Sequence, residues 1–288
     1  MCLVSAMSSK GSKRQVAPRW LLATLLLFVL LTLGVVALIH FRQHSMIYHP
    51  RPYDASYAHS LPPNGVEIDY TLPFGKQTAY YIPGHDGIPK RLWIAFSGNG
   101  SLTLDWTTIL AGYPNNGDAF LLVDYPGYGK NAGYATIEST RVSTEAALRG
   151  LIERLQLREE QLALCVIGHS LGSAVALDFA TRHRVRCVVA IAPFTTLREE
   201  AATIVGRPLS YLLIENYDNR ALLTEIAKRN PDARVAIFHG IDDGDIPVRM
   251  GRELSQKFPF VQFFPIDGAD HVSVLTTARD KIIDWMNQ

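Results

Sequence analysis

The chain has 288 residues, 48% of them hydrophobic, and a formal charge of +1; that is enough for one globular domain with a sizeable core plus a short extra element. Its 28 Lys and Arg are scattered and balanced by 27 Asp and Glu, so no basic stripe exists to track phosphates, and nucleic acid is excluded as a partner. Of the three cysteines, Cys165 and Cys187 sit in apolar strand-like runs where a free thiol acts as a small core residue, a disulfide between them being the alternative; neither they nor Cys2 have metal-ligand spacing.

Residues 20–39 carry no charge. As a helix they span about 30 Å, the hydrocarbon thickness of a bilayer. The run is too long for a signal-peptide core, although Val35-Val36-Ala37 resembles a weak cleavage site and leaves a removable signal as the alternative. Lys10, Lys13, Arg14 and Arg19 precede it without an acid, whereas only Arg42 and Arg51 follow closely. The positive-inside rule therefore assigns residues 1–19 to the cytoplasm and everything after 40 to the far side. Residues 40–64, with His40, His44, His49 and several Tyr and Pro, read as an ordered connector near the headgroups; their irregular histidine spacing does not suit a metal.

From residue 65 the pattern alternates. Strands are expected at 66–72 and 77–82 as a hairpin, then at 92–96, 119–123, 162–167, 185–191, 235–239 and 261–266; helices at 103–112, 137–156, 171–182, 247–257 and 273–287. Such alternation predicts an α/β fold, a mostly parallel sheet covered by helices on both faces. Residues 194–230 are amphipathic and longer than a crossover requires, which fits either a lid over the sheet edge or an ordinary packed helix pair.

The run 162–172, Leu-Ala-Leu-Cys-Val-Ile-Gly-His-Ser-Leu-Gly, reads strand, sharp turn, helix. In Gly168-x-Ser170-x-Gly172 a Cβ at either glycine would meet the neighbouring strand or helix, and the bend lifts the Ser170 hydroxyl to a helix N-terminus that favours developing negative charge. That is a nucleophile's position. A serine needs a base, and the base needs an orienting acid; for this turn the chain order is Ser, Asp, His. Two later strands end in suitable loops: residues 239–247, with Asp242, Asp243 and Asp245, and residues 267–271, ending in His271. Both belong at the edge where parallel sheets bind ligands.

Over nearly all of residues 60–288 the chain resembles the α/β-hydrolase superfamily. Its acid loop, His-Gly-x-x-Asp-x-x-Val-Pro, is matched by residues 239–247 with one conservative change. The resemblance implies Asp243 as the acid and His271 as the base, and it implies an oxyanion hole built from the backbone N–H of Leu171 and of Asn99 in the loop Ser97-Gly98-Asn99-Gly100-Ser101. Ser97 departs from the family's usual His. Asp124-Tyr125-Pro126-Gly127-Tyr128-Gly129 resembles a family turn that floors the site. The same glycines do not open directly into a helix, so they are no dinucleotide fingerprint, and Asp124 and Asn131 break the P-loop pattern. The apolar anchor, that turn and Asn216-Tyr217-Asp218-Asn219 look most like the membrane-tethered branch of lipases, lysophospholipases and protein depalmitoylases.

The expected molecule is a membrane-anchored serine hydrolase of esters or thioesters without cofactor or metal, divided into a tail (1–19), a transmembrane signal-anchor (20–39), a connector (40–64) and a catalytic domain (65–288, with 194–230 as insert). An aminopeptidase, favoured by Glu199, Glu200 or Glu215 in the insert, and a non-enzymatic binding protein are the rivals. Asn99-Gly100-Ser101 is also an N-glycosylation pattern; a glycan there would obstruct the oxyanion loop, which favours a bacterial periplasm as the far side.

Overall fold

The computed structural model describes residues 18–84, 88–115 and 117–288; Cys2, Lys10, Lys13 and Arg14 lie outside the described residues. The chain divides into two units, Met1–Phe41 and Arg42–Gln288. Helix α1 (Arg19–Ile47) contains the stretch Arg19–Leu38, of mean hydropathy 2.9 and with none of it buried. A helix apolar all round suits a membrane anchor or a signal sequence. Its hydroxyls are satisfied internally, Thr24 by the Leu21 carbonyl at 3.0 Å and Thr32 by that of Phe28 at 2.9 Å. The helix runs past 39 into the expected connector. Between Gly34 and Pro50 there is no Gly or Pro to stop it, and Gln43 and Ile47 are buried in the second unit.

In the second unit, the described strands β1 (Val66–Leu72), β2 (Gly75–Ile82), β3 (Arg91–Phe96), β4 (Asp118–Val123), β5 (Ala163–His169), β6 (Val185–Ile191), β7 (Arg234–Gly240) and β8 (Val261–Ile266) form one sheet. Its order is β1-β2-β4-β3-β5-β6-β7-β8. Strands β1, β2 and β4 pair antiparallel and the remaining neighbours parallel. Each strand ends within two residues of its expected position. The reason is composition: β4 is buried along its whole length, and β3 and β5 at all but their first residue, as strands covered on both faces must be.

The helices are α2 (Trp106–Ile109), α3 (Ile137–Leu155), α4 (Leu171–Arg182), α5 (Leu197–Val205), α6 (Arg207–Ser210), α7 (Asn219–Arg229), α8 (Val248–Lys257), α9 (Val274–Thr277) and α10 (Arg279–Asn287). One face of the sheet packs on α3, α4, α7 and α8 through Leu148, Phe179, Leu223, Ile226 and Leu254. The other packs on α2, α9 and α10 through Trp106, Val274, Ile282 and Trp285. After β4 the chain crosses over β3 to form β5, so the loops following β3 and β5 diverge and open a crevice at the C-terminal edge. Within residues 194–230, α7 buries Leu223 and Ile226 as an ordinary crossover helix, while α5 and α6 form an excursion pinned at its base by the Thr196–Asp218 bridge.

Candidate active site

Ser170 sits between β5 and α4 with φ 55° and ψ −120°, a strained conformation for a residue with a Cβ. The surroundings impose it. The Ser170 N–H donates to the Ile191 carbonyl at 2.9 Å, and the Ser170 carbonyl accepts from the Ser173 N–H and hydroxyl at 2.9 and 2.5 Å. Both flanking glycines are required by contact: a Cβ on Gly168 would lie 1.9 Å from the Gly172 carbonyl oxygen, and one on Gly172 would lie 2.3 Å from that of Phe96 in β3.

The loops after β7 and β8 bring Asp243 and His271 to this serine. His271 Nε2 is 2.9 Å from Ser170 Oγ, and His271 Nδ1 is 2.8 Å from Asp243 Oδ2. The other Asp243 oxygen accepts the backbone N–H of Asp245 at 3.0 Å and of Ile246 at 2.8 Å. Asp243 is buried, which opposes its charge, but hydrogen bonds from His239 and His271 outweigh burial and hold its carboxyl well below the usual carboxylate range. Asp242 and Asp245 are exposed, and neither carboxylate touches His271.

Two further histidines back this series, His239 behind Asp243 and His169 behind His271. His239 is fully buried; its Nε2 donates to the Ile246 carbonyl at 2.8 Å and lies 3.3 Å from Asp243 Oδ2. The His169 Nε2 donates to the main-chain carbonyl of His271 at 2.7 Å. Burial, then the neighbouring His271, pushes the His169 ring down to about 4, so it stays neutral and keeps one ring proton for that bond. Sequence reasoning gave neither histidine this role: the His169 contact joins residues 102 apart, and the His239 contacts, 4 and 7 residues away, depend on how the loop after β7 folds back on its strand.

Asn99 and Leu171 both face the cavity beside Ser170. As the first residue of α4, Leu171 has no intrahelical acceptor for its N–H. The Gly98 carbonyl accepts from Ser101 N at 3.2 Å, so the Asn99 N–H of the same peptide points the opposite way. The floor turn holds this loop: the Tyr125 hydroxyl donates to the Ser97 carbonyl at 2.5 Å and the Tyr128 hydroxyl to the Asn99 carbonyl at 2.6 Å. Asp124 anchors the turn by accepting from the Tyr53 hydroxyl at 2.5 Å and from Thr103 N at 2.7 Å.

A cavity of about 530 Å³ opens over Ser170 and His271. Its walls are apolar, chiefly Ile47, Phe194, Leu197, Ile204, Leu209 and Leu213 from the end of α1 and the α5–α6 excursion. Of the three acids expected to matter there, Glu199 is engaged by Arg220 and Thr195, and Glu215 by the Tyr48 hydroxyl and Ile137 N. Glu200 alone lines the cavity, its Oε2 without a partner, and burial raises its carboxyl to about 7. Among the described residues no three His, Cys, Asp or Glu side chains converge on a metal-sized site. Cys165 and Cys187 are free, buried and paired in register on β5 and β6.

Residues 89–284 match the family model described as Serine aminopeptidase, S33. An uncharacterised protein of Mycobacterium tuberculosis is 26% identical over 226 residues, 77% of each chain. Human alpha/beta hydrolase domain-containing protein 17B is 26% identical over 152 residues, 52% of this chain and 49% of its own. Among solved structures, an esterase of Pyrococcus furiosus superposes with a TM-score of 0.62 at 16% identity, covering 84% of this chain and 97% of its own. Est1E of Butyrivibrio proteoclasticus gives 0.57 at 15% identity over 78% and 98%.

Proposed function

Since the chain belongs to the α/β-hydrolase family matched above, we propose that it is a serine hydrolase cleaving carboxylic esters or thioesters of acyl groups through an acyl-enzyme on Ser170. The observation that carries this reading is the hydrogen-bonded series Asp243–His271–Ser170 at the mouth of an apolar cavity. Ser170 Oγ attacks the substrate carbonyl while His271 Nε2 accepts its proton. Asp243 holds the proton on Nδ1 and stabilises the imidazolium that forms. The Asn99 and Leu171 N–H groups donate to the developing oxyanion, aided by the N-terminus of α4. His271 then protonates the leaving oxygen or sulfur, and a water activated by the same imidazole releases the acid. The acyl chain lies along Leu197, Ile204, Leu209 and Leu213, with α5 and α6 as the lid. Helix α1 anchors the enzyme, the tail remains cytoplasmic and the catalytic unit faces a periplasm.

Ser170→Ala tests this directly. Ester hydrolysis and labelling by a fluorophosphonate should vanish while the fold persists, because no core cavity is opened at the bend; labelling elsewhere, or none in the wild type, sinks the assignment.

A second reading, cleavage beside a free amine, is favoured by one observation: the unpartnered Glu200 oxygen in the cavity. Turnover of aminoacyl p-nitroanilides that exceeds turnover of p-nitrophenyl butyrate and longer esters, and that is lost in Glu200→Gln, would select it.

A further inference from the structure

We propose that the rim of the cavity rests on the lipid bilayer and that acyl substrates enter from the membrane; this builds on the ester-hydrolase reading above. Four large apolar side chains stand in solvent on the segments that wall the cavity: Met46 (47% exposed) and Ile204 (77%) from its lining, and Tyr211 (70%) and Ile214 (65%) close in sequence to the lining residues Leu209 and Leu213. They belong to elements fastened together. Ile214 N donates to Gln43 Oε1 at 2.9 Å, the Tyr48 hydroxyl donates to Glu215 Oε2 at 2.9 Å, and Met46 and Ile204 both line the cavity. Exposed apolar side chains grouped around an opening mark an interaction surface, whereas isolated ones do not.

The surface has the composition of a segment at a lipid interface. Residues 201–214 hold no acid and one cation, Arg207, which is exposed. Tyr211 presents an aromatic body with a polar tip, the side chain favoured at headgroup depth, and its ring lies 5.6 Å from the Arg198 guanidinium, which also donates to the Leu213 carbonyl at 3.2 Å and so holds this segment in place. Chain length selects the bilayer over other partners. The apolar span ends at Leu38 and Met46 follows eight residues later, so Met46 stays within about 28 Å of the span's end whatever the path between them. A long-chain ester dissolved in the membrane thereby reaches Ser170 along apolar walls without its chain crossing water.

The test uses the full chain reconstituted in phosphatidylcholine–phosphatidylglycerol vesicles. Tyr211→Glu with Ile214→Glu, two positions outside the cavity lining, should lower kcat/KM for a long-chain umbelliferyl ester dissolved in the bilayer at least tenfold and leave p-nitrophenyl butyrate within twofold. Equal effects on the two esters, or none on either, overturn the proposal. A second readout is independent of catalysis: Ile214→Trp should add fluorescence that brominated phospholipid quenches, above the baseline of the four native tryptophans. An unquenched signal, or one shielded only as protein-to-lipid ratio rises, overturns lipid docking, the latter in favour of a second copy. Quenching without hydrolysis of any ester supports docking and overturns the ester reading instead.

Discussion

At Asp243 three candidate carboxylates within four residues are separated by burial and hydrogen bonding. Asp243 is buried, accepts two backbone N–H groups and reaches His271 Nδ1 at 2.8 Å, whereas Asp242 and Asp245 are exposed. Asp243→Asn should therefore lower kcat by about 10⁴ with little change in KM, as expected when the base loses its tautomer, and Asp242→Asn and Asp245→Asn should stay within about tenfold. Steady-state kinetics on one chromogenic ester decides; three equal losses would reassign the loop to structure. His169 makes a different prediction. The unfolded chain protonates this histidine near 6.5, the folded chain only near 4, so between those values the unfolded state binds more protons and stability falls as pH falls. The shift corresponds to about 3 kcal/mol. His169→Gln keeps a donor for the His271 carbonyl and removes the titration, so its denaturant midpoint should change less between pH 6.5 and 4 than that of the wild type. Parallel pH curves would refute the buried neutral imidazole.

At the scale of elements, the β5–α4 turn is held by backbone contact. Gly168→Ala places a methyl 1.9 Å from the Gly172 carbonyl oxygen, where neither neighbour can yield without moving strand or helix. A loss of more than about 3 kcal/mol, beyond usual overpacking, is expected. Gly244→Ala, whose added methyl meets nothing within 4 Å, should change stability by less than about 1 kcal/mol in either direction. Thermal unfolding of the two variants compares them, and similar losses would mean that glycine here serves flexibility alone. The elbow was legible because its constraints are local. The helix expected at 103–112 was not: only Trp106–Ile109 is α-helical, preceded by a 3-10 turn, since the Asp105 carboxylate bonds Leu102 N and Asp124 takes the Thr103 N–H. Residues distant in sequence tied down a segment whose hydrophobic spacing alone suggested a longer helix.

For the whole molecule, the orientation proposed above rests on the charges flanking the apolar stretch Arg19–Leu38. Alkaline phosphatase fused after Gln288 should be active in a bacterial host, and green fluorescent protein exported there by the general secretory route should stay dark; the reverse pattern would put the catalytic unit in the cytoplasm. The apolar helix, the eight strands and the elbow were readable from the sequence alone, since continuous apolar runs, period and glycine spacing are properties of contiguous residues. The acid loop and the position of His271 were also readable, but only as members of a family pattern. Tertiary structure decided the rest. It set His169 and His239 behind His271 and Asp243, engaged Glu199 and Glu215 elsewhere while leaving Glu200 facing the cavity, and continued α1 to Ile47 so that its last turn walls that cavity. Each of these depends on which loops share the sheet's C-terminal edge, and that is fixed by strand order, a long-range pairing that no local pattern encodes.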